Sequence, residues 1–144
     1  MYQRILLAVD GSKSSDLALS QAITVAKATG AEIRAVFVAD DSDLFFEVSY
    51  VDNESLMKGV VSLGTDLLQA ATKRLNDAGI RSSTKLFEKP KSPGKISEAW
   101  KADLIVLGTH GRRGVRRLVM GSVSEGVISK TRKPVLLIRS EVEE

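Results

Sequence analysis

The chain has 144 residues, enough for one domain and too few for two cores of ordinary size. Apolar residues make up 43% and charged residues 27%, a globular composition that needs no covalent staple. The absence of cysteine excludes disulfide scaffolds and thiolate chemistry, and 21 basic against 18 acidic residues leave a net charge of +3, too balanced to argue for general nucleic-acid binding.

Met1-Tyr2-Gln3-Arg4 runs straight into Ile5-Leu6-Leu7-Ala8-Val9. That run lacks the length and cleavage site of a signal sequence, and no apolar run reaches a membrane span, so a soluble cytoplasmic protein is expected. Arg4 to Val9 reads instead as a first buried strand. After Asp10-Gly11-Ser12, the spacing predicts a helix over Ser14 to Thr29 with Leu19, Ala22, Ile23 and Ala26 on one face. Serines precede it as caps, and Gly30 stands as its left-handed stop. Glu32 to Ala39 is the second strand. Asp40 to Val51, with Phe45, Phe46 and Tyr50, has no strong period and reads as a surface loop or the ragged start of the next helix. That helix runs from Asn53 to Ala78, turns Leu63, Leu67, Leu68, Ala71 and Leu75 inward, and stops at Gly79. Ser83 to Phe87 is the third strand. A short helix over Pro93 to Lys101 follows, in which Trp100 reads as packing against the sheet rather than binding a ligand. Asp103 to Leu107 is the fourth strand. A last helix from Ser122 to Thr131 is closed by Pro134, and Pro134 to Arg139 is the fifth strand.

Leu104-Ile105-Val106-Leu107 and Val135-Leu136-Leu137-Ile138 are apolar at consecutive positions, so both faces of those strands must be covered. Strand–helix alternation with short connections implies right-handed crossovers and a doubly wound, Rossmann-like α/β sheet with helices on both faces. No repeat, low-complexity tract or linker divides the chain, and residues 1–144 are expected to form one domain.

In such sheets ligands lie beyond the carboxyl ends of the strands, where strand order reverses. Asp10-Gly11-Ser12 follows the first strand, Gly108-Thr109-His110-Gly111 the fourth, and Gly121-Ser122 opens the last helix. Gly108 and Gly111 would let the backbone turn sharply and approach a ligand. The free N–H groups at Gly121-Ser122, with the hydroxyls of Ser122 and Ser124, favour phosphate. Arg112, Arg113, Arg116 and Arg117 lie between the glycine clusters, where phosphate steering competes with a solvated charged loop and a nucleic-acid contact. Aromatic residues are 5% of the chain and none interleaves with these arginines, which argues against a stacking platform. Asp10 suits a helix cap or a ligand contact, and its place at a strand end favours the ligand. His110, the one histidine, has no carboxylate nearby in sequence to orient it, so phosphate contact or loop exposure is favoured over acid–base work. Met120-Gly121-Ser122-Val123-Ser124 is not an esterase elbow, and no Walker A pattern is present. These residues point to a phosphorylated ligand without naming it.

The spacing Gly108-x2-Gly111-x9-Gly121-Ser122 resembles the ATP-binding signature of the universal stress proteins. The opening Ile5 to Ser12, the middle Ala102 to Gly108 and the end Lys133 to Ile138 resemble that family's blocks in the same order, so the likeness covers almost the whole chain. It implies a five-stranded parallel sheet in the order 3-2-1-4-5. It implies that Asp10 and the Val38 backbone contact adenine, with Gly108 against the ribose and Leu107 beside the base. His110 and Gly111 would approach the phosphates, and Gly121, Ser122, Val123 and Ser124 would hold them. Mg²⁺ would ride on the phosphates, since no carboxylate cage is evident. The family commonly forms homodimers through the last strand, here Val135 to Ile138.

The function so implied is an ATP-binding regulatory protein of stress adaptation, acting through nucleotide-dependent partner or dimer contacts. One alternative is a slow ATPase or self-phosphorylating enzyme with Ser122 or Ser124 as acceptor. Another is a dimeric scaffold that no longer binds nucleotide. A nucleotidyl-transferring relative would want a histidine-rich signature where this chain has Asp10-Gly11-Ser12.

Overall fold

The computed structural model describes residues 2–39, 53–88, 100–109 and 131–140. In chain order its elements are β1 (Arg4–Ala8), α1 (Lys13–Thr29), β2 (Glu32–Val38), α2 (Asn53–Asp77), β3 (Ser82–Phe87), β4 (Leu104–Gly108) and β5 (Val135–Ile138). Each strand expected from an apolar run is present, with its ends shifted by no more than a residue. The strands pair in parallel as β3-β2-β1-β4-β5, the order that the family resemblance implies. β1 is therefore central, and strand order reverses between β1 and β4.

Consecutive apolar residues on the inner strands fill both faces of the sheet. Ile5, Leu7, Ile33, Ala35, Phe37 and Val106 face a core completed by Ala18, Leu19, Ala22 and Ala26 of α1 and by Leu68, Ala71 and Leu75 of α2. On the opposite face Leu6, Val36, Ile105 and Leu107 pack with Trp100 and Ala102. Trp100 thus belongs to the core, as its sequence context suggests. The rest of the helix expected over 93–101, nearly all of that expected over 122–131, and the Asp40 to Val51 segment lie outside the described residues.

The helix α1 begins where Ser12 Oγ accepts the Ser15 N–H at 3.1 Å, a cap worth about 1 kcal/mol. It ends at Gly30, whose φ of 77° lets its N–H reach back to the Ala26 carbonyl. In α2 one expectation fails. Leu63 is 43% exposed, while Leu68, Ala71 and Leu75 are buried. The inward stripe passes through Gly64, four residues before Leu68, and a Cβ on Gly64 would overlap the Phe37 ring. Phe37 fills the space, so the helix offers its glycine there and turns Leu63 outward.

The amino ends of the strands are tied together by polar contacts. Asp103 accepts the Gln3 N–H at 2.8 Å and the Arg4 N–H at 3.1 Å. Arg4 donates to the Trp100 carbonyl at 2.7 Å and pairs with Glu32 at 3.3 Å. Arg34 donates from Nε to Ser83 Oγ at 3.0 Å. The guanidinium carbons of Arg4 and Arg34 lie 5.5 and 5.0 Å from the centroid of the Trp100 ring, within cation–π range. Among the described residues no helix is long and apolar enough to cross a membrane.

Candidate functional site

Register brings the candidate residues to one level. Ala8 lies opposite Val36 on β2, and Leu7 lies opposite Val106 on β4. Counting forward from these pairs, Asp10, Val38 and Thr109 stand side by side at the carboxyl edge, at the point where strand order reverses. Gly11, with φ 86°, then carries the chain off the line of β1 and into α1.

Asp10 is held by the start of that helix. Its N–H donates to Ser15 Oγ at 3.1 Å, and its Oδ1 accepts the Ser12 N–H at 2.9 Å. Ser12 Oγ lies 3.2 Å from Ser14 Oγ. Ser12, Ser14 and Ser15 are all buried, and their mutual bonds replace the water they have lost. The two cap candidates are thereby separated: Ser12 caps α1, while Asp10 closes the turn before it.

Gly108 plays a different local part from the one its sequence context suggests. It ends β4 in register with Ile138, and it is not among the described glycines with positive φ, which are Gly11, Gly30 and Gly79. The sharp turn expected there is absent because the residue is still in the ladder. A Cβ at Gly108 would come within 2.6 Å of the Ser14 carbonyl carbon and 2.7 Å of the Ser15 nitrogen. The missing side chain lets the first turn of α1 settle directly on the end of β4. Leu107, 2% exposed, packs on the opposite face, where Val38 is half-buried.

Thr109 is the residue that sequence reasoning passed over. Its N–H donates to the Ile138 carbonyl at 3.0 Å, and only 9% of its surface is exposed. Among the described residues its Oγ1 has no hydrogen-bond partner. The signal available in sequence was a hydroxyl placed directly after the buried run Leu104-Ile105-Val106-Leu107-Gly108. His110, Gly111, the arginines 112, 113, 116 and 117, Gly121, Ser122, Val123 and Ser124 lie outside the described residues. Among the described residues no group of three or more His, Cys, Asp or Glu could hold a metal ion.

Residues 1–139 match the universal stress protein family. The chain belongs to that family. Universal stress protein MJ0531 of Methanocaldococcus jannaschii is 32% identical, across 100% of this chain and 86% of its own. Among solved structures, hypothetical protein MJ0577 has a TM-score of 0.84 at 25% identity, covering 98% of each chain. A universal stress family protein from Burkholderia pseudomallei has a TM-score of 0.76 at 27% identity, covering 96% of this chain and 97% of its own. Two further structures share the fold and were solved with nucleotide. A universal stress protein in complex with cAMP has a TM-score of 0.69 at 21% identity, over 95% of this chain and 97% of its own. The universal stress protein of Archaeoglobus fulgidus in complex with dAMP has a TM-score of 0.64 at 22% identity, over 95% of this chain and 98% of its own.

Proposed function

We propose that this chain is a regulatory adenine-nucleotide-binding protein whose ligand is ATP and whose role lies in stress adaptation. The observation that carries the reading is the strand register, which counted forward brings Asp10, Val38 and Thr109 to one level beyond the β1/β4 reversal. Open α/β sheets hold ligands at that position. Support comes also from the cAMP and dAMP complexes of two proteins with this fold. The local chemistry fits a nucleotide: an acidic side chain fixed at a strand end, and a buried hydroxyl with no partner among the described residues.

In this reading Asp10 and the Val38 backbone hold adenine, and Leu107 and Gly108 border the base and sugar. His110, Gly111, Gly121, Ser122, Val123 and Ser124 take the phosphates through N–H and hydroxyl groups, with Mg²⁺ carried on the phosphates. The whole chain works as one cytoplasmic domain. A second copy pairs along β5, an edge of the sheet whose four apolar side chains are only half-buried. Nucleotide state then alters contacts with the second copy or with a protein partner.

Calorimetric titration of nucleotide-stripped protein with ATP and Mg²⁺, followed by an assay for released phosphate, tests the proposal. Saturable binding without turnover is the expected result. A flat titration with folded protein would remove nucleotide binding and leave a scaffold.

A further inference from the structure

Hydroxyls at the carboxyl end of the sheet fall into two kinds. Ser12, Ser14 and Ser15 are buried and bonded to one another or to Asp10. Thr109 is as buried as Ser12, each 9% exposed, yet its Oγ1 has no partner among the described residues. Backbone disorder is not the reason, because the Thr109 N–H is fixed on the Ile138 carbonyl at 3.0 Å.

Direction follows from the pleat. A side chain on Gly108 would point into the first turn of α1. The alternation of β4, continued one residue past its end, puts Thr109 on the other face, that of Leu107, Ala8 and Val38. There Asp10, one strand over on β1, is its neighbour in level, and Val38 stands one strand further, on β2. An orphaned buried hydroxyl destabilises a fold, and valine would fill the same volume without that cost. The site therefore carries a polar group that its own packing does not require.

We propose that the Thr109 hydroxyl is a ligand contact that donates its hydrogen to an oxygen in the sugar–phosphate part of the bound nucleotide. The inference rests on the nucleotide reading of this site and adds a binding residue to it. Sugar and phosphate oxygens supply the acceptor that the described residues do not. The neighbouring Asp10 carboxylate, an acceptor, serves donors on the ligand instead.

The test pairs Thr109→Val, which keeps shape and removes the hydroxyl, with Thr109→Ser, which keeps the hydroxyl. Each full-length variant is melted free of nucleotide and titrated calorimetrically with ATP and Mg²⁺. Thr109→Val is expected to raise the melting midpoint by about 2–5 °C, because the orphan is gone. It is expected to weaken ATP about 3- to 10-fold, the loss of one net hydrogen bond. Thr109→Ser retains wild-type affinity. A hydroxyl that serves the fold, or that only holds a buried water, gives the reverse pattern: a lower midpoint and unchanged affinity for Thr109→Val. That pattern overturns the proposal, as does a loss of affinity that Thr109→Ser shares. A wild-type chain that fails to bind ATP overturns the nucleotide reading itself and this contact with it, and it does so before any variant is made.

Discussion

At the amino ends of the strands, Asp103 takes two backbone N–H groups and two guanidiniums flank Trp100. Arg4, Glu32, Arg34 and Ser83 are bonded into the same assembly. At the carboxyl ends of the same strands the picture changes. Gly11 turns the chain away at φ 86°, Gly108 lacks the side chain that would keep α1 off, and Thr109 buries a hydroxyl without a partner among the described residues. Among the described residues, then, the amino end of the sheet is closed by paired polar groups, while the carboxyl end, though Asp10 and its serines are bonded, leaves one buried hydroxyl open. The difference teaches that a single unsatisfied group, rather than a lack of packing, sets the carboxyl end apart, and α/β sheets bind ligands beyond that edge.

The comparison can be broken from either side, and Trp100→Ala should have the largest effect. It empties a core position and removes the surface on which Arg4 and Arg34 rest, at a cost of about 3–5 kcal/mol. Denaturant unfolding should show that loss while the folded fraction binds ATP as before. Gly108→Ala comes next, at about 1–3 kcal/mol, because the new Cβ meets not only the Ser14 hydroxyl but also the backbone of Ser14 and Ser15, which cannot swing away. Here stability and ATP affinity should fall together. Asp103→Ala strands the Gln3 and Arg4 N–H groups and should cost about 1–2 kcal/mol with affinity unchanged. Ser15→Ala should be the mildest, about 1 kcal/mol, yet it should weaken ATP binding by releasing Asp10. If Asp103→Ala alters affinity more than Ser15→Ala does, the two ends are not separable.

Much of the fold was legible because its cause is local. A strand covered on both faces needs consecutive apolar residues, and Leu104 to Leu107 declare that need without reference to anything else. Ser12 and Gly30 marked the ends of α1 for equally local reasons. Leu63 shows the limit. Periodicity cannot choose between adjacent positions when the deciding fact is the Phe37 ring on another element. The closed end was invisible, since the bonds from Gln3 and Arg4 to Asp103 span 100 and 99 residues. At the open end, sequence picked out Asp10 and Gly108 correctly as strand-end residues and read the glycine's missing Cβ as room for a ligand, while the room it makes for the first turn of α1 depends on a contact that sequence does not show. For Thr109 the sequence offered a hydroxyl directly after a buried run, but nothing in it said that this hydroxyl finds no partner among the described residues.

The most direct test of the open-end account is an amide chemical-shift map of isotope-labelled protein titrated with ATP and Mg²⁺. The account predicts large shifts at Asp10, Val38, Gly108 and Thr109, with Gln3, Arg4, Arg34 and Asp103 nearly still. Shifts gathered at Arg4, Arg34 and Asp103, with the carboxyl-end amides unmoved, would contradict it.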